Sequence, residues 1–154
     1  MLPRTWAAIA LLMTAGMAAA QPVPRNSAIL SPREAVLAAA DAAPAAVPAT
    51  FALRVQRAER LQQRLYINSE RDYRDQRNLT IRVEEGAMRE LAARYGEAPE
   101  RHFLGRDILV RGAAQRTRID FIGNRGRPTG LYYYQTHVVV RDADQISVVG
   151  ETAR

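Results

Sequence analysis

A mainly β domain (β + α), built as a small barrel with one or two helices, is the fold class this sequence predicts, on three observations. Three segments between Thr50 and Glu84 alternate apolar and polar residues with a period of two. An amphipathic helical pattern, Gly86 to Tyr95, interrupts the alternation. Further strand patterns then run to Val149, separated by glycine-bearing turns.

The chain opens on a different signal. Arg4 is followed by an uncharged apolar run from Trp6 to Met17, and then by Ala18, Ala19 and Ala20. That order is the pattern of a secretory signal peptide over residues 1–20. The run is shorter than the roughly 20 apolar residues a membrane-spanning helix needs. The expectation is an exported chain, periplasmic or secreted, cleaved after about Ala20, with no transmembrane segment left. Residues 21–30 read as a flexible N-terminus. Residues 31–49 read as a helix and linker, in which Ser31 caps, Pro32 takes the first helical position and Glu34 completes a capping box. Val36, Leu37 and Ala40 are the expected inward residues. Asp41 to Pro48 ends the helix.

Residues 50–150 form the expected domain, with a short tail at 151–154. Phe51, Leu53 and Val55 mark the buried face of a first strand. Leu65 and Ile67 do so in Arg64 to Ser69, with Tyr66 and Asn68 on the other face. Glu70 to Gln76 is a charged turn. Asn78 to Glu84 alternates most regularly, Leu79, Ile81 and Val83 against Thr80, Arg82 and Glu84. Met88, Leu91, Ala92 and Tyr95 then fall on one helical face, and Gly96 is placed to end that helix. Glu97 to Leu104 reads as a connector. Gly105 to Ala113 is a strand that bends at Gly112 and continues to Phe121. Ile122 to Gly130 is a loop, Tyr132 to Val140 a long strand, Asp142 to Gln145 a turn, and Ile146 to Val149 a short closing strand. Five main strands with a helix between the third and fourth, plus an extra N-terminal helix, are the element order of a five-stranded OB-fold barrel.

All 22 basic residues are arginine, and with 16 acids the formal charge is +6, one less once Arg4 leaves with the leader. The excess favours polyanionic partners. There is no cysteine, so stability in an oxidising compartment rests on packing and hydrogen bonds.

Leu65-Tyr66-Ile67-Asn68-Ser69-Glu70, Asp72-Tyr73-Arg74-Asp75 and Asn78-Leu79-Thr80 together resemble the middle of exported bacterial OB-fold domains, a largely uncharacterised group found alone or beside secreted nucleases. Gly105 to Gly112 is similar to that group's fourth-strand segment, and Val138 to Ile146 to its closing strand, with Ala143 where proline is common. The resemblance covers about Phe51 to Val149. It implies the barrel fold, and nucleic-acid binding only as the fold suggests it.

Three places could hold a ligand. Tyr66, Asn68, Thr80 and Arg82 should share the outward face of strands two and three. In the charged turn, Arg71, Arg74 and Arg77 could meet phosphates and Tyr73 a base, although alternating Arg and Asp also neutralise each other locally. Arg125 and Arg127 lie on the Gly-rich loop ahead of Tyr133, which with Gln135 and His137 is expected to be exposed, whereas Tyr132 and Tyr134 share the parity of Val138 and Val140 and are expected in the core. The candidate ligand-binding residues are therefore Tyr66, Asn68, Arg71, Tyr73, Arg74, Arg82, Arg125, Arg127 and Tyr133. Asp72 and Asp75 are too few for a calcium site. His102 and His137 stand apart without ligand-spaced neighbours and read as structural. No nucleophile, acid–base pair, metal set or phosphate loop can be named, so no catalytic role and no cofactor are expected. The sequence leaves two readings: a non-catalytic module for single-stranded nucleic acid or another polyanion, and a periplasmic protein-interaction or envelope structural module that docks through a barrel edge or its N-terminal helix.

Overall fold

The computed structural model describes residues 28–123 and 126–151. Residues 1–27, 124–125 and 152–154 lie outside them, and with them the expected leader.

The first element is β1 (Ile29–Leu30), followed by α1 (Pro32–Ala42). Ser31 Oγ accepts from Glu34 N while Glu34 Oε2 accepts from Ser31 N at 2.8 Å, the reciprocal cap expected from the sequence. The inward face differs from expectation. Ala35 and Ala39 are fully buried and Leu37 is 56% exposed. Alanine is selected there because α1 lies close against β2 and β6 and reaches β5 and β7. At such a crossing a methyl fits where a leucine would hold the helix off.

β2 (Val47–Arg54) and β3 (Arg57–Leu61) are two halves of one bent strand, separated by Val55 and Gln56. Val55 N donates to Arg106 O and Gln56 N to Asn68 O, so the bend passes the chain from one side of the sheet to the other. β4 (Arg64–Asn68) and β5 (Leu79–Val83) complete an antiparallel meander with β3. α2 (Glu85–Tyr95) ends at Gly96, whose positive φ of 98° and N–H to Ala92 O fit the expected stop. The expected connector holds a further short helix, α3 (Pro99–Phe103), which buries Phe103. Long antiparallel strands β6 (Asp107–Ile122) and β7 (Pro128–Val140) follow. A single turn of 3₁₀ helix (Ala143–Gln145) then leads into β8 (Ile146–Val148), which pairs with β6.

Hydrogen bonding joins these strands in the order β1-β2-β6-β7-β5-β4-β3, with β5 and β7 parallel. Because β3 continues β2, the sheet curls back on itself, an arrangement consistent with an OB-like fold. Among the described residues the strand count is eight rather than five. The bend divides the first strand, and two short strands, β1 and β8, are added at its margins. The helix slot after the third main strand holds two helices, not one.

The core is the concave side. Phe51, Leu65, Ile67, Leu79, Ile81, Val83, Ile108, Val110, Val138 and Val140 are all fully buried. A Cβ on Gly112 would come within 2.5 Å of Val138 Cγ1, which explains glycine at the expected bend. β6 is continuous across it. β2 accompanies β6 only as far as Ala114, and β5 accompanies β7 only from Thr136. Residues 115–122 and 128–135 therefore project as a two-stranded arm. This overturns one expectation. Tyr132 and Tyr134 do share the parity of Val138 and Val140, but they sit on the arm, beyond the elements that cover the core, and are 50% and 42% exposed. The expected loop from Ile122 to Gly130 is shorter, since both strands run into it.

Among the described residues no helix is long and apolar enough to cross a membrane.

Candidate functional site

Strand parity builds a groove on the face opposite the core. With Leu65, Ile67, Leu79 and Ile81 pointing in, Tyr66 and Asn68 of β4 and Thr80 and Arg82 of β5 point out. The register sets Tyr66 beside Arg82 and Asn68 beside Thr80, and continues across the sheet from Thr80 to His137 of β7. The same face of β7 carries Gln135 and Tyr133, which stand opposite Thr117 and Ile119 of β6. Glu59 and Leu61 of β3 and Tyr73 of the 70–77 loop close the sides. The resulting groove has a volume of about 620 Å³.

Its floor is a buried amide network. Asn78 Nδ2 donates to Asn68 Oδ1 (2.9 Å), Thr80 Oγ1 (3.0 Å) and Tyr73 O (3.3 Å). Asn78 Oδ1 accepts from Ser69 Oγ (3.3 Å) and Glu70 N (3.1 Å). Gln135 works from the other side. Its Nε2 donates to Tyr73 O (3.2 Å) and Tyr133 Oη (2.9 Å), and its Oε1 lies 2.7 Å from His137 Nε2. Asn78 and Gln135 thus hold the Tyr73 carbonyl between them and fix where that tyrosine enters the groove.

Arg82 supplies the positive charge. Its Nε is buried and makes no aligned hydrogen bond, although Glu84 Oε1 lies 2.9 Å away. Glu84 is also engaged by Arg64 Nε at 2.9 Å, and this bond leads the influences that pull its carboxyl below the usual range. Burial, reinforced by the charge of Arg82, lowers the His137 pKa to about 4. At neutral pH the imidazole is uncharged. Burial, with Tyr73 alongside, raises the Tyr133 pKa.

The His137 shift has a consequence for stability. The folded pKa lies below the unfolded value of 6.5, so the unfolded chain binds the proton more readily between the two. The contribution is complete above about pH 6.5 and is lost as pH falls toward 4, amounting to up to about 3 kcal/mol. In His137→Gln, urea midpoints at pH 7 and pH 4.5 are expected to lie closer together than in the native protein. An equal or larger gap would overturn that account.

Of the residues singled out from sequence, Tyr66, Asn68, Tyr73, Arg82 and Tyr133 line this one groove. Asn68 lies on the expected outward face but is only 3% exposed and bonded to Asn78 and Thr80, so it supports the floor. Tyr133 and His137 are half-buried rather than exposed. Arg74 lines a neighbouring groove, with its guanidinium 5.1 Å from the centre of the Tyr73 ring. Arg71 and Arg127 are exposed and line neither. The Arg71 carbonyl accepts from Arg57 Nη1, and the Arg127 carbonyl from Gly123 N in the turn of the arm. Arg125 lies outside the described residues.

The charged turn is neutralised only in part, at one of its three arginines. Arg77 pairs with Asp75 at 2.8 Å and holds that carboxyl down to about 2. Asp72 Oδ1 accepts from Arg74 N. His102 is stacked on Tyr95 with ring centres 4.2 Å apart, away from the groove. Among the described residues no group of three or more His, Asp or Glu could hold a metal ion.

Sequence reasoning missed Asn78, Thr117 and Ile119, and named Gln135 only as a neighbour of Tyr133. Asn78 had a visible signal, a polar residue opening the most regular strand. Thr117 and Ile119 were legible only through the β6–β7 register, which periodicity alone does not provide.

No protein-family model matches the chain, and no curated protein matches it. Several solved structures do. One is a Leishmania major Friedlin chain described as an aspartyl-tRNA synthetase (12% identity, TM-score 0.43). It is aligned over 91% of this chain and 24% of its own. The aspartyl tRNA synthetase of Entamoeba histolytica gives 11% identity and a TM-score of 0.45, over 97% of this chain and 29% of its own. A mitochondrial single-stranded DNA binding protein of S. cerevisiae gives 12% identity and a TM-score of 0.40, over 71% of this chain and all of its own. This chain spans about a quarter of the first synthetase.

Proposed function

We propose that this protein is an exported, non-catalytic binding module that holds single-stranded nucleic acid in the groove between β3, β5 and the arm. One observation carries the reading. Three tyrosines, Tyr66, Tyr73 and Tyr133, and the half-buried Arg82 converge on a single groove of about 620 Å³. Aromatic faces accept unpaired bases whatever their sequence, and an arginine guanidinium donates to a phosphate or a base edge. A polyanion without bases would leave the tyrosines unused. Export rests on the leader pattern of residues 1–20. The competing docking role for α1 is weakened, because Ala35 and Ala39 are buried in the core, while Leu37 stays exposed.

Fluorescence anisotropy with labelled single strands at low and high salt tests the reading. Expected is binding that weakens linearly in log–log form as salt rises, through counterion release. An unlabelled duplex or a sulfated polysaccharide should compete poorly. No binding at low salt, or equal competition by the polysaccharide, would rule the base-binding groove out.

A further inference from the structure

The outer part of β7 has a second groove on its other side. It holds about 410 Å³ and is bounded by Val36 and Ala40 of α1, by Arg74, and by Arg116, Tyr132 and Tyr134 of the arm. Its chemistry differs from that of the first groove. Arg116 lies flat on Tyr134, 3.9 Å from the ring centre, and Arg118 on Tyr132 at 4.1 Å. Arg118 is also paired with Asp120 at 2.8 Å. Arg116 and Arg74 have no carboxylate within ion-pair distance among the described residues, and no acidic residue lines this groove. A guanidinium stacked on a ring keeps its N–H groups directed sideways, in the plane where a phosphate oxygen can meet them.

The two grooves meet. Tyr133 and Gln135 border both. From Pro128 to Gln135, β7 pairs with β6 alone, so among the described residues its other edge carries no strand. A chain leaving the first groove over that edge arrives at Arg74 and Arg116.

We infer that the second groove is a phosphate-holding subsite for the same single strand, which straddles the open edge of β7. Bases sit against Tyr66, Tyr73 and Tyr133 on one side, and the backbone is held by Arg74 and Arg116 on the other. This inference rests on the proposed binding function. It adds that affinity grows with strand length beyond what the first groove can hold.

Anisotropy with an oligothymidylate of about three residues and another of about ten tests it, since a single barrel of this kind covers roughly 4–16 nucleotides. The native protein is expected to bind the longer strand about 10-fold or more tightly. In Arg116→Gln/Tyr134→Ser that gain is expected to vanish and the salt slope to fall by about one, while binding of the short strand stays within twofold. Both positions are exposed on the arm, and an unchanged urea midpoint confirms that the variant is folded. Equal affinity of the native protein for both lengths overturns the second subsite and leaves the first groove standing. So does a variant that weakens both lengths alike. Failure of both strands to bind overturns both readings together. Sedimentation velocity that finds a dimer paired through the β7 edge, with no length effect, replaces the subsite by an interface between two copies.

Discussion

Replacing Asn78 by alanine is expected to destabilise the protein by about 2–4 kcal/mol, more than any other single polar substitution at the groove. The side chain is 3% exposed and takes part in five hydrogen bonds. Its partners do not all suffer equally. Asn68 Oδ1 keeps the Thr80 hydroxyl, and the Tyr73 carbonyl keeps Gln135. Glu70 N loses its Asn78 acceptor, and so does the Ser69 hydroxyl, which still accepts from Leu79 N of β5. Each buried group left without a partner costs about 1–3 kcal/mol. Urea unfolding at pH 7 measures the effect. A change below about 0.5 kcal/mol would mean that the network is not cooperative. The same substitution is expected to loosen Tyr73, so strand binding should weaken even at concentrations of denaturant where the variant is fully folded.

The largest effect on binding is expected from Tyr66→Ala/Tyr133→Ala. A stacked base is worth about 1–3 kcal/mol, so the pair contributes roughly 2–6 kcal/mol if each ring holds one. That is a loss of about 30-fold or more. Arg82→Gln should act differently, reducing affinity together with the salt slope by about one, because it removes one charge facing the strand. Arg71→Ala and Arg127→Ala lie outside the groove and are expected to shift affinity less than either. Anisotropy on all four variants separates these outcomes. If the tyrosine pair binds within twofold of the native protein, the groove is not where bases sit. If Arg71 or Arg127 outweighs Arg82, the contact surface lies at the loops instead.

Much of the framework was legible because short-range chemistry determines it. The Ser31–Glu34 cap, the Gly96 stop and the alternation in β4 and β5 are local, and each lies where its pattern put it. β3 escaped because Arg57, Glu59 and Arg60 give it no apolar alternation. It is a strand through pairing with β4 and not through its own propensity. α3 escaped because five residues are too few to show a helical period. Tyr132 and Tyr134 show the limit most clearly. Parity assigned them correctly to the face of Val138, but parity says which residues share a face, not where the covering layer stops. The groove was half legible for the same reason. Tyr66, Asn68, Thr80 and Arg82 follow from two adjacent strands, whereas Gln135 and His137 join them only through the parallel pairing of β5 with β7, which alternation cannot reveal.

The bent strand that supplies both β2 and β3 also governs how the chain must fold. The β3–β4–β5 meander and the β6–β7 hairpin can form from neighbouring residues. β2, however, pairs only with β1 and with β6, whose Val110 meets Phe51 from across more than a third of the chain. Closure therefore waits for distant partners and carries a large loop entropy, which places folding in the slow, roughly millisecond-to-second regime of high contact order. A nascent chain that has not yet reached Asp107 holds a meander with Leu65, Ile67 and Ile81 uncovered. That intermediate, rather than the finished barrel, is the species most exposed to aggregation during synthesis.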